Sequence, residues 1–357
     1  MGHHKLYPIG QALLAALLFG ASAPIAKMLL RDISPLFMAS FLYLGSGVGL
    51  LLWQMIGRFA SHQPKSEASL TKKDHPWLFG AILFGGILAP ILQMFSLRIT
   101  PASTASLLLN FEGVATTLIA ILIFKEAIGK KVWWAIILIT LASILLSWDF
   151  RNAWGLSLGA IGIILACISW GVDNNMTRNI SSKNPFSIVC YKGLGAGSFS
   201  LMAAILMRNQ LPGFTLILIA MLVGFFCYGF SIVLFVLAMR NMGSIRTSAW
   251  FGSAPFIGVI LSFVILREIP NPLIYLSLPI MILGAVFLIN EDHDHIHDHE
   301  RMEHSHKHSH KDGHHDHTHE DLEEQKNYQH SHQHKHEILQ HNHPHLPDIH
   351  HRHSHQE

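Results

Sequence analysis

The stretch LRITPASTASLLLNFEGVATTLIAILIFKE, Leu97–Glu126, decides the architecture, because Met239–Glu268 lies on it without a gap at a shift of 142 residues. Arg98 meets Arg240, Ser106 meets Ser248, Lys125 meets Arg267 and Glu126 meets Glu268. Each copy is long and apolar enough to cross a bilayer, which takes about 20 residues of helix. A second match, at a shift of 151, sets Phe19-Gly20 on Trp170-Gly171 and Lys27 on Arg178. Identities are few, so the weight of the repeat rests on the order of apolar segments.

Working outward, apolar runs predict ten spans, at 8–30, 35–57, 77–99, 102–124, 132–149, 155–177, 185–207, 213–239, 244–266 and 272–290. Each half contributes five. An odd number inverts the second copy, which relates the halves by a pseudo-two-fold axis in the membrane plane. The expected fold is an all-α membrane protein of ten transmembrane helices in two inverted five-helix repeats, 8–149 and 155–290. A disordered tail, 291–357, is expected to follow.

Charge separates the same two materials. The 357-residue chain is 50% hydrophobic with a net charge of +2, yet residues 1–290 carry 19 Lys+Arg against 8 Asp+Glu and the tail carries 6 against 15. The first part is too apolar for a water-soluble enzyme, a nucleic-acid binder or a disulfide scaffold. Cys167, Cys190 and Cys227 fall in apolar runs and read as small buried hydrophobes. Twelve Lys/Arg on the side shared by the N-terminus and even-numbered loops, against five opposite, predict cytoplasmic termini in a cell (inner or plasma) membrane. The first span lacks a cleavage site and reads as an anchor. Trp53, Trp77, Trp133, Trp134, Trp148 and Trp154 lie near span ends, whereas Trp170 and Trp250 lie within spans and are expected at a cavity or helix contact.

The Phe19-Gly20 and Trp170-Gly171 pairs, the run Leu108-Leu109-Asn110-Phe111-Glu112 ending in Phe124-Lys125-Glu126, and Ser253-Ala254-Pro255 ending in Leu266-Arg267-Glu268 form a recognisable pattern. It resembles the drug/metabolite transporter superfamily, specifically its EamA-type permeases, over residues 8–290. The chain departs from that pattern at Gly113, where many members carry proline; Pro255 keeps the feature in the second half. The resemblance implies secondary transport of small organic solutes, often export of amino acids or related metabolites. It does not identify the substrate.

Ionisable residues inside spans mark a transport pathway or coupling site, since each is costly unless paired or wet. Glu112 falls mid-span and could carry a proton, or could be a protonated group bonded across a helix interface. Asp173 and Lys192 each sit about ten positions from the turn near Ser182. An antiparallel hairpin would bring them to one depth as a buried pair, structural or gating. Lys27 is expected to snorkel to the headgroups. Asn110, Asn174, Trp170, Trp250 and Tyr228 complete the candidate pathway, with Asn175 and Gln93 as further polar residues. Pro24, Pro90, Pro255, Pro279 and Gly85-Gly86 predict kinked helices.

The tail alternates His-x-His: His293, His295, His297, His299, His304, His306, His308 and His310, then His314, His315, His317 and His319, with further runs to His355. Imidazoles at this density suit Zn, Ni, Co or Cu, although no fixed structural-zinc spacing occurs. No cofactor is required by the core. The expected function is a secondary-active exporter of small organic solutes. The alternative left open is a divalent-metal transporter or a metal-regulated permease. Expected partners are the bilayer, a small-molecule solute and divalent ions; a homodimer is left open.

Overall fold

The computed structural model describes residues 3–60, 68–124, 128–148, 157–269 and 271–289, and four tail segments, 296–298, 302–308, 330–336 and 340–342. Among the described residues, ten apolar helices follow one another. They are α1 (Tyr7–Leu29), α2 (Pro35–Ile56), α3 (Lys72–Ile99), α4 (Ala102–Phe124), α5 (Lys130–Ser147), α6 (Leu158–Ile180), α7 (Pro185–Leu206), α8 (Phe214–Gly243), α9 (Arg246–Leu266) and the shorter α10 (Pro272–Phe287). The first nine are long and apolar enough to span a bilayer. Their ends follow ordinary capping chemistry. The Ser157 hydroxyl accepts from the Ala160 N–H at the start of α6, and Asn184 Oδ1 accepts from the Phe186 and Ser187 N–H groups at the start of α7. Pro185 then occupies the first turn, where its missing N–H costs nothing.

The duplication is written in the irregularities of the backbone. A π-helical segment interrupts α3 at Ile82–Leu88 and another interrupts α8 at Gly224–Phe230, 142 positions later. Helix α4 breaks at Leu109-Asn110, between Ala102–Leu108 and Phe111–Phe124. Helix α9 breaks at Gly252-Ser253, within one residue of the same 142-residue shift. Pro90 and Pro255 each open the helical segment after an irregularity, as expected of residues that cannot continue a ladder. The break in α4 has no proline; only its position opposite Pro255 in the repeat marks it. Pro279, by contrast, sits inside α10 without a break.

Lipid tails give helices no hydrophobic reason to associate, so the bundle closes through small residues. The clearest contact joins α2 to α7. A Cβ on Gly47 would lie 2.6 Å from the Leu194 nitrogen, and one on Gly193 would lie 2.6 Å from the Gly47 nitrogen. The backbones touch there because neither residue has a side chain. Trp53, Trp77, Trp133, Trp134 and Trp148 are exposed on the outside of the bundle; Trp154 lies outside the described residues.

At one end of the bundle, Lys27 does not reach outward. Its ammonium donates to the carbonyls of Leu97 (2.7 Å), Arg98 (3.1 Å) and Thr100 (2.8 Å), the last turn of α3. Those carbonyls lack partners within their own helix and carry its negative dipole end, so a tethered cation satisfies both needs better than the headgroups would. Beside it, the Glu268 carboxylate accepts from the Ala102 N–H (2.7 Å), the Ser103 N–H (2.9 Å) and the Ser103 hydroxyl (2.7 Å) at the start of α4. The opposite end is marked by the α6–α7 turn, where the Asn184 N–H donates to the carbonyl of Ala68, just before α3.

Among the described residues of the tail are four short strands. β1 (Ile296–Asp298) pairs antiparallel with β4 (Gln340–Asn342), and β2 (Met302–His308) pairs with β3 (His330–His336). The His-x-His alternation has the period of a strand, which lets like residues meet in register. His304 lies opposite His334, His306 opposite His332, and His308 opposite His330. His297 lies opposite His341. His293, His295, His299, His310, His314, His315, His317 and His319 lie outside the described residues.

Candidate functional site

The site sits where the two halves meet. Phe19 and Trp170, equivalent positions of the repeat, touch edge to face with ring centroids 5.9 Å apart. Around them Phe19 packs on Tyr228 (5.4 Å) and Phe251 (5.1 Å), Tyr43 packs on Tyr228 (5.5 Å), and Phe235 packs on Phe251 (4.8 Å). This gives an aromatic wall at mid-depth in the bundle.

One face of that wall carries charge. Lys192 on α7 donates to Asp173 Oδ2 on α6, and both are 3% exposed. The hairpin of α6 and α7 therefore produces the pairing its sequence spacing predicts. Asp173 Oδ1 accepts a second bond from the Thr177 hydroxyl at 2.9 Å, one turn along the same helix. The carboxylate fits because α3 gives way to it: a Cβ on Gly85 would lie 1.9 Å from Asp173 Oδ2. The same residue's carbonyl, within the π-helical segment, accepts from the Tyr43 hydroxyl (2.5 Å) and the Trp170 indole N–H (3.1 Å). Widened helical turns of this kind recur at functional sites. Here the turn joins α2, α3 and α6 directly behind the ion pair.

Glu112 approaches from the broken α4. Its Oε1 accepts from the Asn174 amide at 2.9 Å, and the same amide donates to the Thr116 hydroxyl at 3.1 Å. Asn175, next in α6, donates instead to the carbonyls of Thr116 and Gly171, which reads as helix-to-helix fastening. The position after the break gives Glu112 a place in the first turn of Phe111–Phe124, where a carboxylate is favoured by the helix dipole.

Two small cavities meet at this point. One is lined by Phe19, Tyr43, Glu112, Trp170, Asp173 and Lys192, among others, and reaches Thr177 and Val236 toward the α6–α7 end. The other lies against the two helix breaks and takes in Ser106, Asn110, Glu112, Ser248 and Gly252. Glu112, Phe19 and Phe251 border both. The first offers about 30 Å³ and the second about 20 Å³ to water-sized occupants, room for a water or two and not for a solute. For a solute to occupy either cavity, the surrounding helices must move.

The sequence-predicted residues are thus divided. Glu112, Asp173, Lys192, Asn174 and Trp170 converge on one cavity. Asn110 lines the other, donating to the Leu107 carbonyl at 3.2 Å and lying 3.7 Å from the Met281 sulfur. Tyr228 is part of the aromatic wall but lines neither cavity, and its hydroxyl donates to Gln93 Oε1 at 3.0 Å. Trp250 does not join them. It packs with Ile9, Ala12, Ala238 and Met242, while Phe251, the next residue of the same helix and so turned to another face, borders the cavity. Thr116, Thr177, Tyr43 and the Gly85 carbonyl were not apparent in the sequence. Thr177, four residues after Asp173, and Thr116, four after Glu112, had a helical-spacing signal.

Comparison with known proteins agrees with this geometry. The model of the EamA-like transporter family matches twice, over residues 6–148 and 157–290. The chain belongs to the EamA-like transporter family. It is thus a multi-pass membrane transporter, embedded in a lipid bilayer and moving small molecules across it. A protein of Methanothermobacter thermautotrophicus, named only as an uncharacterized transporter, is 28% identical over 290 residues, 77% of this chain and 83% of that protein. A solved crystal structure superposes with a TM-score of 0.57 at 16% identity, covering 78% of this chain and 95% of the other; that likeness concerns the fold alone.

Proposed function

We propose that this EamA-family transporter is a secondary-active exporter of small organic solutes that carry both charge signs and an apolar part, amino acids and related compounds among them. The observation that supports it is the convergence of Asp173, Lys192 and Glu112 on one aromatic-walled cavity between the halves. A solute carboxylate would exchange with Asp173 at the Lys192 ammonium. A solute ammonium would be taken by the released Asp173 or by Glu112, and the apolar part would lie on Phe19, Trp170 and Phe251. Alternating access would turn on the matched breaks in α4 and α9 and the matched π-helical segments in α3 and α8. The loop-charge bias puts the α6–α7 end, and both termini, in the cytoplasm. Counterflow of labelled amino acids in liposomes tests this. Saturable exchange by the wild type that is lost with Lys192→Met, in protein that still folds, is the expected result. Exchange that survives the change would remove the site from the pathway.

The tail supports a second, separate proposal: that it binds divalent Zn, Ni, Co or Cu and reports metal to the transporter rather than carrying it. The cross-strand register of His304, His306 and His308 with His334, His332 and His330 favours it, since residues opposite each other in antiparallel strands lie about 5 Å apart. Among the described residues, no three His, Cys, Asp or Glu side chains gather in a metal-holding group. Calorimetry with ZnCl₂ on the full chain and on a chain ending at Asn290 separates the two. Binding confined to the full chain is expected, and equal binding by both would place the metal in the core.

A further inference from the structure

We propose that Lys27 and Glu268 act together as a latch that holds the α3–α4 end of the transporter shut and breaks each time that end opens. This rests on the alternating-access reading above. The two side chains come from different halves, Lys27 from α1 and Glu268 from the residues after α9, and they converge on one turn. Lys27 holds the three carbonyls that end α3, and Glu268 holds two N–H groups and a hydroxyl that begin α4. Six hydrogen bonds, five of them to backbone, thus fix the turn at Thr100-Pro101. The native N-cap of α4 is Pro101, which offers no side-chain cap, so the start of α4 depends on Glu268.

Several features suit a contact made to be broken. Both ends of the latch are partly exposed and neither is locked in the core, so water can take over each hydrogen bond on opening. Arg267, which presents Glu268, stands in the left-handed region at φ 51°, a strained conformation for a residue with a side chain. The segment held, Ala102–Leu108, is separated from Glu112 by the break at Leu109-Asn110, so the latch and the charged site stand on different pieces of α4. The charged cavity extends toward the opposite, α6–α7 end. Finally, the cation–carboxylate combination recurs in the sequence repeat, with Arg178 on Lys27 and Glu126 on Glu268. A device used alternately at two ends would show that duplication.

The test is sided chemical access to the cavity. A cysteine is placed at Leu109, which lines the cavity at the breaks, in a chain with Cys167, Cys190 and Cys227 replaced by alanine. The full-length protein sits in vesicles of known sidedness, and a membrane-impermeant maleimide is added to one face at a time. Lys27→Met and Glu268→Gln are each expected to raise labelling from the α3–α4 face about fivefold or more and to lower it from the other face. Their combination should do no more than the stronger single change. Lys27→Arg should behave as wild type, and Glu268→Asp, with shorter reach, should give an intermediate shift if Glu268→Gln does not fold. A purely structural role would lower the melting temperature without this reciprocity. Unchanged labelling in folded variants, or an equal rise from both faces, would overturn the latch. Solute counterflow by the wild type, measured in the same vesicles, reports on the transport reading independently.

Discussion

The two five-helix halves share their backbone irregularities and differ in their charges. The π-helical segments of α3 and α8 coincide at the 142-residue shift, and the breaks of α4 and α9 fall within one residue of it. The chemistry does not. Glu112 lies on Ala254, and at the 151-residue shift Asp173 lies on Ser22. A duplicated frame supplies the places where helices bend, and unmatched polar residues then make one region of the interface a site. The frame should therefore tolerate substitution evenly in both halves, whereas the charged positions should not.

The ion pair should show the largest contrast. Asp173→Asn or Lys192→Met leaves a buried charge stranded, which costs about 3–5 kcal/mol. Ser22→Ala, at the equivalent place, removes a neutral buried hydroxyl and strands no charge, so it should cost about 1 kcal/mol or less. Thermal melts in detergent separate these, and exchanging the charges, Asp173→Lys with Lys192→Asp, should recover much of the loss. No recovery would mean that the pair is not held by its mutual attraction.

Next in size is the wall behind the pair. Gly85→Ala puts a methyl where Asp173 Oδ2 now lies and should destabilise by about 1–3 kcal/mol. Gly213→Ala, which meets nothing within 4 Å, should change melting little. Equal effects at both would argue against the observed seat of the carboxylate.

Removing the tail should have the smallest effect on transport. A chain ending at Asn290 should keep its rate of solute exchange within about twofold, a difference of less than 0.5 kcal/mol, while losing affinity for zinc. A transport rate that collapses without the tail would make the His-rich segment part of the pathway.

Much of this frame was legible beforehand. Apolar run length located the helices, and the gap-free match of Leu97–Glu126 to Met239–Glu268 located the repeat. Ten positions on either side of a turn were enough to predict that Asp173 would meet Lys192. What escaped is what depends on three-dimensional neighbours. Lys27 looks like a snorkelling residue until the end of α3 is placed beside it. Trp250 reads equally as a cavity or a helix-contact residue until α1 is placed beside it. The break in α4 has no proline to announce it, and the Gly85 carbonyl carries no sequence signal at all. Short-range rules describe one helix at a time, and these features each need two or three.

The central claim is that the cavity shared by Glu112, Asp173 and Lys192 is the transport path. Its most direct test is amino-acid counterflow in liposomes by wild type and Glu112→Gln, a change that keeps the shape and an oxygen to accept from Asn174. The account predicts normal melting with exchange reduced by at least about tenfold, near 1.4 kcal/mol on the barrier. Exchange at the wild-type rate, or metal flux in its place, would contradict it.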